Sequence, residues 1–462
     1  MAQLTLRFDA GTLLLEGAGR EDELPPAFKW DERVSRWRAP AWAYREVLRH
    51  LYAHKIAHED RAKNYDSFDF RVKQRHEPRP YQTDAIAAWK ENGRRGCVIL
   101  PTGAGKTLVA QLAIEMTGRA TLIIVPTLDL MSQWYEGLTA AFDAEIGLMG
   151  GGSFERGAIT VTTYASAFRH MERLGDKFGL LIADECHHLP GSAYRYAAEL
   201  SLAPFRLGLT ATPERADGEE SALQHLLGPI VYRQEIKQLA GEYLSDYSLR
   251  RVTVELSAKE REIYDRERQI YLDFVRRERI SFAGVDGWQR FVMASARSED
   301  GRRAMQAYRE SKKIALGTDA KMRALGDLLI AHPNDRVLIF TAENDIVYRI
   351  SEWFLIPAIT HHTPVKERKR WLDAFNAGEV LALATSKVLN EGVNIPDANV
   401  AIVLSGSGSS REHIQRLGRI LRPRPDKQAI LYEVVTRDTT EENISERRGQ
   451  ASPFQREGDL LP

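Results

Sequence analysis

The stretch that decides the fold reads Gly96-Cys97-Val98-Ile99-Leu100-Pro101-Thr102-Gly103-Ala104-Gly105-Lys106-Thr107. It begins as an apolar run of strand composition and continues through a glycine-containing loop into a helical pattern. The two loop glycines allow the backbone to turn tightly, so that successive N–H groups surround an anionic phosphate. Lys106 reaches the β- and γ-phosphates of a nucleotide, and the hydroxyl of Thr107 is a ligand for Mg²⁺. The stretch therefore predicts a phosphate-binding loop between a strand and a helix.

The cofactors predicted for this loop are ATP and Mg²⁺. One residue departs from the general pattern, because Leu100 stands where the first glycine is expected. The residues assigned to ATP binding in the loop are Pro101, Thr102, Gly103, Ala104, Gly105, Lys106 and Thr107. About one helix upstream, Arg79 and Gln82 are assigned to the same cofactor, since the amide of Gln82 is able to hydrogen-bond both edges of an adenine.

A second apolar strand, Leu180-Leu181-Ile182-Ala183, leads directly into Asp184-Glu185-Cys186-His187. Asp184, at the strand end, is predicted to hold Mg²⁺ together with Thr107. Glu185 is predicted to be the general base that orients and deprotonates the attacking water. His187 is predicted to link the γ-phosphate site to neighbouring loops.

A third segment, Gln415-Arg416-Leu417-Gly418-Arg419-Ile420-Leu421-Arg422, carries closely spaced arginines. Ser409-Ser410-Arg411-Glu412 precedes it and predicts a helix start. Arg419 and Arg422 share one helix face at a spacing of three residues, and we interpret them, with Gln415, as catalytic groups that offer positive charge to the γ-phosphate. Such an arginine is worth about 10³–10⁵ in rate. The competing interpretation is a solvated helix face.

Composition restricts the class of protein further. Among 462 residues, 64 Lys and Arg balance 64 Asp and Glu, so a surface that binds nucleic acid must be a local basic patch. The two cysteines exclude a disulfide framework and are typical of a reducing cytoplasm. The N-terminus lacks a signal-peptide pattern, and no apolar run approaches the roughly 20 residues that span a bilayer. We therefore expect a soluble, cytoplasmic protein that is not bound to a membrane.

The order of predicted elements gives the fold class, which is α/β with two tandem parallel-sheet domains. Residues 1–72 predict a small N-terminal α/β module, which begins with a β-hairpin formed by residues 4–15. Residues 73–240 form the first, ATP-binding domain, and residues 241–446 form the second. The polar tail, 447–462, is predicted to be disordered.

The second domain contains a charged helical stretch at about 257–313, which opens with the capping box Ser257-Ala258-Lys259-Glu260. Tyr264 and Tyr271 on its apolar face, together with its many arginines and lysines, suit an arm that lies over a nucleic acid. A solvated helical hairpin, packed through its apolar stripe, explains the same pattern equally well.

These motifs resemble those of superfamily 2 helicases, and the resemblance covers nearly the whole chain. Narrower similarity, in Ala203–Thr212 and in Asn399–Pro423, is to the XPB (xeroderma pigmentosum group B) family, in particular its short archaeal and bacterial members. The resemblance implies two RecA-like domains, an N-terminal damage-recognition-like domain and an inserted helical thumb. It also implies ATP-dependent 3′-to-5′ movement on DNA or opening of DNA in repair, by a nucleoid-associated prokaryotic protein that acts as a monomer, in archaeal relatives with a nuclease partner. The residues matched to DNA contacts are Thr127, Thr163, Arg215, Asp217 and Thr385.

One departure from the family keeps alternatives open. Family members carry Arg-Glu-Asp after their third motif, whereas this chain has Arg215-Ala216-Asp217. The missing carboxylate favours an ATP-gated DNA clamp or assembly factor that recruits a nuclease without processive unwinding. An RNA helicase is the other alternative. RNA differs from DNA by its 2′-hydroxyl, and no residue visibly reads that group, so the sequence does not distinguish the two polymers.

Overall fold

The computed structural model describes residues 4–19, 24–213, 218, 221–235, 239, 247–282, 286–386, 398–405, 429–442 and 457–460. The chain divides into two compact units, Met1–Gln234 and Glu235–Pro462. None of the described helices is both long and apolar enough to cross a membrane.

The first unit begins with a five-stranded sheet in which the order of strands is β3-β4-β2-β1-β5. The predicted hairpin is confirmed, because β1 and β2 pair antiparallel with Leu6 opposite Leu15. Leu6, Leu13 and Leu15 alternate with more exposed neighbours and are buried against α1. The elements are β1 (Leu4–Asp9), β2 (Thr12–Glu16), β3 (Lys29–Asp31), β4 (Arg36–Pro40), α1 (Tyr44–Ala53) and β5 (His58–Asp60).

The N-terminal module packs against the first parallel sheet within the same unit. Leu202, from the parallel-sheet part, is buried in the core of the module. Arg45 donates to the carbonyl oxygen of Gly93 at 2.7 Å. The connecting chain forms isolated bridges with the larger sheet, Ser67 with Arg119 and Val72 with Phe142. The connection is therefore held by main-chain pairing.

The larger sheet of the first unit has the order β13-β6-β12-β11-β7-β10-β8-β9, and among its described strand pairs β8–β9 alone is antiparallel. Central strands such as Thr121–Val125 are buried along their whole length, as expected when helices cover both faces. The strands are β6 (Arg95–Ile99), β7 (Thr121–Val125), β8 (Ile146–Gly150), β9 (Ser153–Phe154), β10 (Ile159–Thr163), β11 (Leu180–Asp184), β12 (Phe205–Thr210) and β13 (Ile230–Arg233). The helices are α2 (Pro80–Glu91), α3 (Lys106–Thr117), α4 (Leu128–Ala141), α5 (Tyr164–Leu174), α6 (Tyr196–Glu199) and α7 (Ser221–Leu226).

The second unit holds a seven-stranded sheet with the order β16-β17-β15-β18-β19-β14-β20. All its described strand pairs are parallel, so the predicted α/β class with two parallel sheets is confirmed. The strands are β14 (Tyr247–Val254), β15 (Val337–Phe340), β16 (Ala358–Ile359), β17 (Ala382–Thr385), β18 (Val400–Val403), β19 (Ala429–Thr436) and β20 (Glu457–Leu460).

The first three of the four described helices between β14 and β15 form the inserted helical segment, which we call the thumb. They are α8 (Ala258–Arg277), α9 (Gly287–Arg297) and α10 (Glu299–Gly317). The predicted capping box is confirmed at the start of α8, with Ser257 as the N-cap. Aromatic side chains around Phe291 fill the thumb's own small core. Three further helices cover the sheet, α11 (Asp319–Ala331), α12 (Asn344–Phe354) and α13 (Val365–Ala377).

The C-terminal tail differs from the prediction at four residues. We predicted disorder over 447–462 from its polar composition, but Glu457–Leu460 forms β20, which pairs parallel with β14. A sheet edge recruits a strand through main-chain N–H and C=O groups, which every residue except proline carries in full. The polarity of the side chains therefore does not predict whether a segment forms a strand at the edge of a sheet.

Arg206 on β12 is fully buried and binds three main-chain carbonyl groups. Its guanidinium donates to Ser201 at 2.7 Å, to Ala203 at 3.1 Å and to Leu226 at 2.6 Å. Burial lowers the pKa of Arg206 well below its usual value. This one side chain therefore provides hydrogen bonds to carbonyl groups in the segment before β12 and at the end of α7.

We expect Arg206→Met to lower the free energy of unfolding by about 2–4 kcal/mol, because it leaves these buried carbonyls without donors. Urea denaturation of the full chain measures this loss. The control is Arg195→Met, which removes a half-exposed ion pair with Glu199 and should change stability by less than about 1 kcal/mol. Equal midpoints for the two variants would contradict the structural role of Arg206.

Candidate nucleotide site

The phosphate-binding loop lies at the carboxyl end of β6, where the chain turns into α3. Both loop glycines have positive φ, 84° at Gly103 and 78° at Gly105, which side-chain-bearing residues rarely adopt. Gly105 is also restricted by space, since an added Cβ would lie 2.4 Å from Nε2 of Gln82. The helix α3 ends at Gly118, a left-handed C-cap with φ 57°. The main-chain amides at the start of α3 therefore face the position that a phosphate would occupy.

Lys106 connects this loop to the carboxylates at the end of β11. Its Nζ lies 3.4 Å from the carbonyl oxygen of Leu100 and 3.9 Å from Oε1 of Glu185. Strand order explains this proximity, because β12 alone separates β6 from β11 and all three strands run parallel. Their carboxyl ends consequently meet at one edge of the sheet, which is where ligands bind in open α/β sheets.

Asp184 is buried and held by donors on both carboxylate oxygens. The indole Nε1 of Trp134 donates to Oδ2 at 2.8 Å, and the main-chain N–H of Glu185 donates to Oδ1 at 3.0 Å. Burial raises the pKa of Asp184 to about 6, and the adjacent Glu185 carboxylate adds to the rise. Lys106 and the Trp134 hydrogen bond act in the opposite direction. The site thus holds a buried carboxylate that a nearby cation would keep ionised.

Glu185 occupies a strained backbone conformation, with φ 46° and ψ 51°. A non-glycine residue in the left-handed region costs of order 1–3 kcal/mol, and such strain collects at functional sites. Its Oε2 lies 3.3 Å from the hydroxyl oxygen of Thr210, which is also 2.9 Å from Nδ1 of His187. The carboxylate is therefore tied to the end of β12 through a buried threonine.

The residues assigned to Mg²⁺ fit a divalent cation. Thr107 is exposed at the start of α3, and Asp184 ends the nearby strand β11. Carboxylate and hydroxyl oxygens are the hard ligands that Mg²⁺ prefers, and the cation usually keeps several waters. A second hydroxyl of the loop, on Thr102, is buried and has no hydrogen-bond partner among the described residues. Polar groups thus converge on this edge of the sheet.

Gln82 contacts the phosphate-binding loop directly. Its Oε1 accepts from the main-chain N–H of Arg79 at 2.9 Å, and its Nε2 donates to the carbonyl of Ala104 at 2.9 Å. Tyr81 binds the same carbonyl at 3.0 Å and accepts from Arg79. The adenine contact stays a prediction, because both ends of this amide are already hydrogen-bonded to the protein.

The threonines matched to DNA contacts have structural roles in their own elements. Thr127 and Thr163 are N-caps of α4 and α5, and their hydroxyls accept from the third residue of each helix. Thr385 ends β17 and is fully buried. Phosphate contacts by these residues stay predictions. The other assigned residues, Arg215, Asp217, Gln415, Arg419 and Arg422, lie outside the described residues.

Three residues that support the site were given no chemical role by the sequence. Trp134 holds Asp184, Thr210 joins Glu185 to His187, and the hydroxyl of Tyr164 donates to the carbonyl of Asp184 at 2.9 Å. Of the three, Thr210 falls within Ala203–Thr212, a segment that we matched by resemblance. The contacts that these side chains make depend on the order of the strands in the sheet, and a sequence motif does not contain that order.

A phosphate-binding loop beside a buried aspartate and an adjacent glutamate, at the carboxyl edge of a parallel sheet, is the arrangement of a helicase-type P-loop ATPase domain. Family models match three successive parts of the chain. The "Xeroderma pigmentosum group B helicase damage recognition domain" matches residues 6–62, the "Type III restriction enzyme, res subunit" residues 75–215, and the "ERCC3/RAD25/XPB C-terminal helicase" residues 303–452. The chain belongs to the XPB family of helicases.

Two relatives illustrate this membership. The chain is 40% identical over 444 residues to the "DNA 3'-5' translocase XPB2" of Sulfurisphaera tokodaii, a match that covers 96% of this chain and 99% of that protein. It is 33% identical to the "DNA 3'-5' helicase XPB" of Kineococcus radiotolerans, over 80% of this chain and 62% of that longer protein.

A solved structure supports the fold alone. The Hef helicase domain of Pyrococcus furiosus matches with a TM-score of 0.53 and 19% identity, over 80% of this chain and 97% of that one. The predicted RecA-like fold class is confirmed.

We expect Trp134→Phe to raise the Mg²⁺ concentration needed for half-maximal ATPase activity by about tenfold, because residues that orient a metal ligand contribute on this scale. The substitution keeps an aromatic ring in the core and removes the donor to Asp184. A Mg²⁺ titration at saturating ATP measures the shift. The control is Trp353→Phe, at an exposed tryptophan of the second unit. Identical titration curves for both variants would show that the indole N–H has no part in metal binding.

Proposed function

We propose that this protein is an ATP-dependent DNA translocase or helicase that moves 3′ to 5′ and acts in DNA repair. The observation that carries the proposal is the convergence of Lys106, Asp184 and Glu185 at one edge of the first parallel sheet. The name of the full-length Sulfurisphaera relative supports the choice of DNA and the polarity. A nuclease partner, a monomeric state and residence at the nucleoid stay predictions.

The nucleotide is bound by the loop amides and by Lys106. A Mg²⁺ ion held by Asp184 and Thr107 would neutralise charge on the phosphates. Glu185 lies within reach of the same space and accepts a proton from the attacking water, which makes it the general base. Lys106 lies 3.9 Å from that carboxylate, beside the space that the phosphates would occupy.

Coupling to DNA passes through Thr210 in this proposal. Thr210 touches Glu185 and His187 on one side, and its hydroxyl accepts from the main-chain N–H of Thr212 at 3.2 Å on the other. The turn formed by Thr210 and Thr212 precedes the segment of the sequence that carries Arg215. A change in the position of Glu185 during hydrolysis is therefore transmitted to the loop that we predicted to lie at DNA.

The N-terminal ends of α4 and α5 supply the surface for the DNA backbone in this proposal. They follow the paired strands β7 and β10, so their N-termini lie at the same edge of the sheet as the nucleotide loop. Helix N-termini attract phosphate groups without reading sequence. Binding at these positions is expected to be insensitive to base sequence.

A DNA clamp that recruits a nuclease is the second candidate, favoured by Ala216 in place of the family's glutamate. The two candidates make the same prediction for ATP hydrolysis and differ in strand separation. An RNA helicase differs in the polymer that stimulates hydrolysis.

The deciding experiment measures ATP turnover and strand displacement on one preparation. Turnover is compared without polymer and with single-stranded DNA, duplex DNA and RNA, and displacement is followed on 3′- and 5′-tailed duplexes. We expect stimulation by DNA and displacement with 3′ tails. Stimulation by RNA alone would reject the proposal, and stimulation by duplex DNA without displacement would exclude a processive helicase and leave the translocase and the clamp.

A further inference from the structure

A buried tyrosine contacts the main chain between the two carboxylates of the nucleotide site. Tyr164 is the first residue of α5, and only 1% of its surface is exposed. Its hydroxyl donates to the carbonyl oxygen of Asp184 at 2.9 Å and lies 3.5 Å from the carbonyl oxygen of Glu185. Because both neighbours are acceptors, the tyrosine is the donor in each contact. It thus binds the peptide group that joins the predicted metal ligand to the predicted general base.

Strand order brings this hydroxyl to the end of β11. Tyr164 directly follows β10, and β7 alone lies between β10 and β11. All three strands run parallel, so their carboxyl ends lie at one edge of the sheet. The tyrosine ring packs against the rings of Tyr194 and His188, at centroid distances of 5.5 and 5.9 Å. Packing of the ring therefore fixes the hydroxyl in place beside β11.

The peptide group between Asp184 and Glu185 is held at both of its polar atoms. Its carbonyl oxygen accepts from Tyr164, and its N–H donates to Oδ1 of Asp184 at 3.0 Å. The next carbonyl along the chain, that of Glu185, accepts from the N–H of His188 at 3.0 Å and begins a single 3₁₀ turn. Rotation of the peptide group would change the direction in which the side chain of Glu185 leaves the main chain.

The backbone at Glu185 requires such support. Its φ of 46° and ψ of 51° lie in the left-handed region, which is unfavourable for a residue with a Cβ atom. A residue keeps this conformation only when the surrounding contacts over-determine it. The conformation places Oε1 3.9 Å from Nζ of Lys106 and Oε2 3.3 Å from the hydroxyl oxygen of Thr210. The tyrosine hydroxyl therefore influences where the carboxylate points, although its contacts are to the main chain.

We propose that Tyr164 is a positioning residue for ATP hydrolysis, which holds the peptide group between Asp184 and Glu185 so that the Glu185 carboxylate faces the attacking water. The inference rests on the proposed role of Glu185 as the general base. Misplacement of a reacting group by about 1 Å costs about 10²-fold in rate, so one hydrogen bond to the main chain at this point has a measurable effect.

The first test removes the donor and keeps the ring. We expect Tyr164→Phe to lower the single-turnover rate constant of ATP hydrolysis by the full chain about tenfold, while the dissociation constant for ATP stays within about twofold. The control is Tyr194→Phe, the same substitution at a ring that packs against Tyr164, which should keep the wild-type rate within about twofold. Thermal unfolding shows whether both variants are folded. A wild-type rate in folded Tyr164→Phe would overturn the proposal.

A double-mutant cycle tests whether the tyrosine acts through the carboxylate. In a Glu185→Gln background, Tyr164→Phe should change the hydrolysis rate by less than about twofold, because the group that it positions is already absent. A purely structural role of the tyrosine predicts instead that the rate falls about tenfold again. Effects that multiply in this way would contradict the proposal.

The Mg²⁺ dependence separates this role from one in metal binding. Tyr164→Phe should need the same Mg²⁺ concentration as wild type for a half-maximal rate, within about twofold, whereas Trp134→Phe should need more. Recovery of the Tyr164→Phe rate in excess Mg²⁺ would reject positioning of the base. Tyr164→Met also lacks the donor and fills the space with a flexible apolar side chain, so it replaces Tyr164→Phe if that variant does not fold. Wild-type hydrolysis by Glu185→Gln would instead reject the proposed general base.

Discussion

Lys106→Ala is expected to lower kcat/KM for ATP by about 10³-fold or more, because the ammonium binds the phosphates and stabilises the charge that develops on them. It should also weaken ATP binding, which separates it from a purely catalytic substitution. The structure adds a second reason. Lys106 is 3.9 Å from Glu185 and lowers the pKa of Asp184, so its loss leaves two adjacent carboxylates without their nearest cation. Steady-state ATPase assays and titration with a fluorescent nucleotide measure the two effects.

The matched control for this variant is Lys177→Ala. Lys177 lies in the same unit, within the connection between α5 and β11, and pairs with Asp176. It should retain turnover within about twofold of wild type, as is usual for surface substitutions. Normal nucleotide binding by Lys106→Ala would contradict the assignment of the loop.

Glu185→Gln should leave ATP bound and lower kcat by about 10²–10⁴-fold, which is the range that general-base catalysis contributes. Glutamine has the shape of glutamate, and it retains hydrogen bonding to Thr210 but accepts no proton from water at neutral pH. The same backbone conformation, φ 46°, is imposed on both residues, so the folded state should keep its stability. Single-turnover hydrolysis with bound ATP isolates the chemical step from nucleotide binding.

A suitable control for Glu185→Gln is Glu199→Gln, which alters an ion pair with Arg195 on α6. Turnover by Glu185→Gln within about threefold of wild type would make the general-base role untenable. Simultaneous loss of ATP affinity and turnover would indicate that Glu185 mainly supports Lys106. The two outcomes assign the carboxylate to different steps.

Local signals in the sequence were sufficient to predict most of the nucleotide site. The strand before the loop is a run of apolar residues, the loop needs glycines with positive φ, and α3 ends at a glycine with φ 57°. Each of these features depends on a few adjacent residues, so a short window of sequence contains the cause. The capping box at Ser257 and Glu260 was predictable for the same reason.

The partners of the site residues were not predictable from such windows. Trp134 and Asp184 are 50 positions apart, and they meet because β7 and β11 are neighbours in the sheet. The amide of Gln82 was assigned to adenine, yet it contacts the carbonyl of Ala104. The strand Glu457–Leu460 formed from a polar tail because pairing at a sheet edge uses the main chain.

The sequence by itself determined the class of protein, the phosphate-binding loop and the two carboxylates at the end of β11, because each of these features depends on a few contiguous residues. Tertiary structure alone decided which side chains hold those groups in place. It brought Thr210 to Glu185 and His187, and it buried Lys321 against Glu441, which is 120 positions away. Strand order and helix packing set these distances, and they arise from the burial of apolar surface over the whole unit.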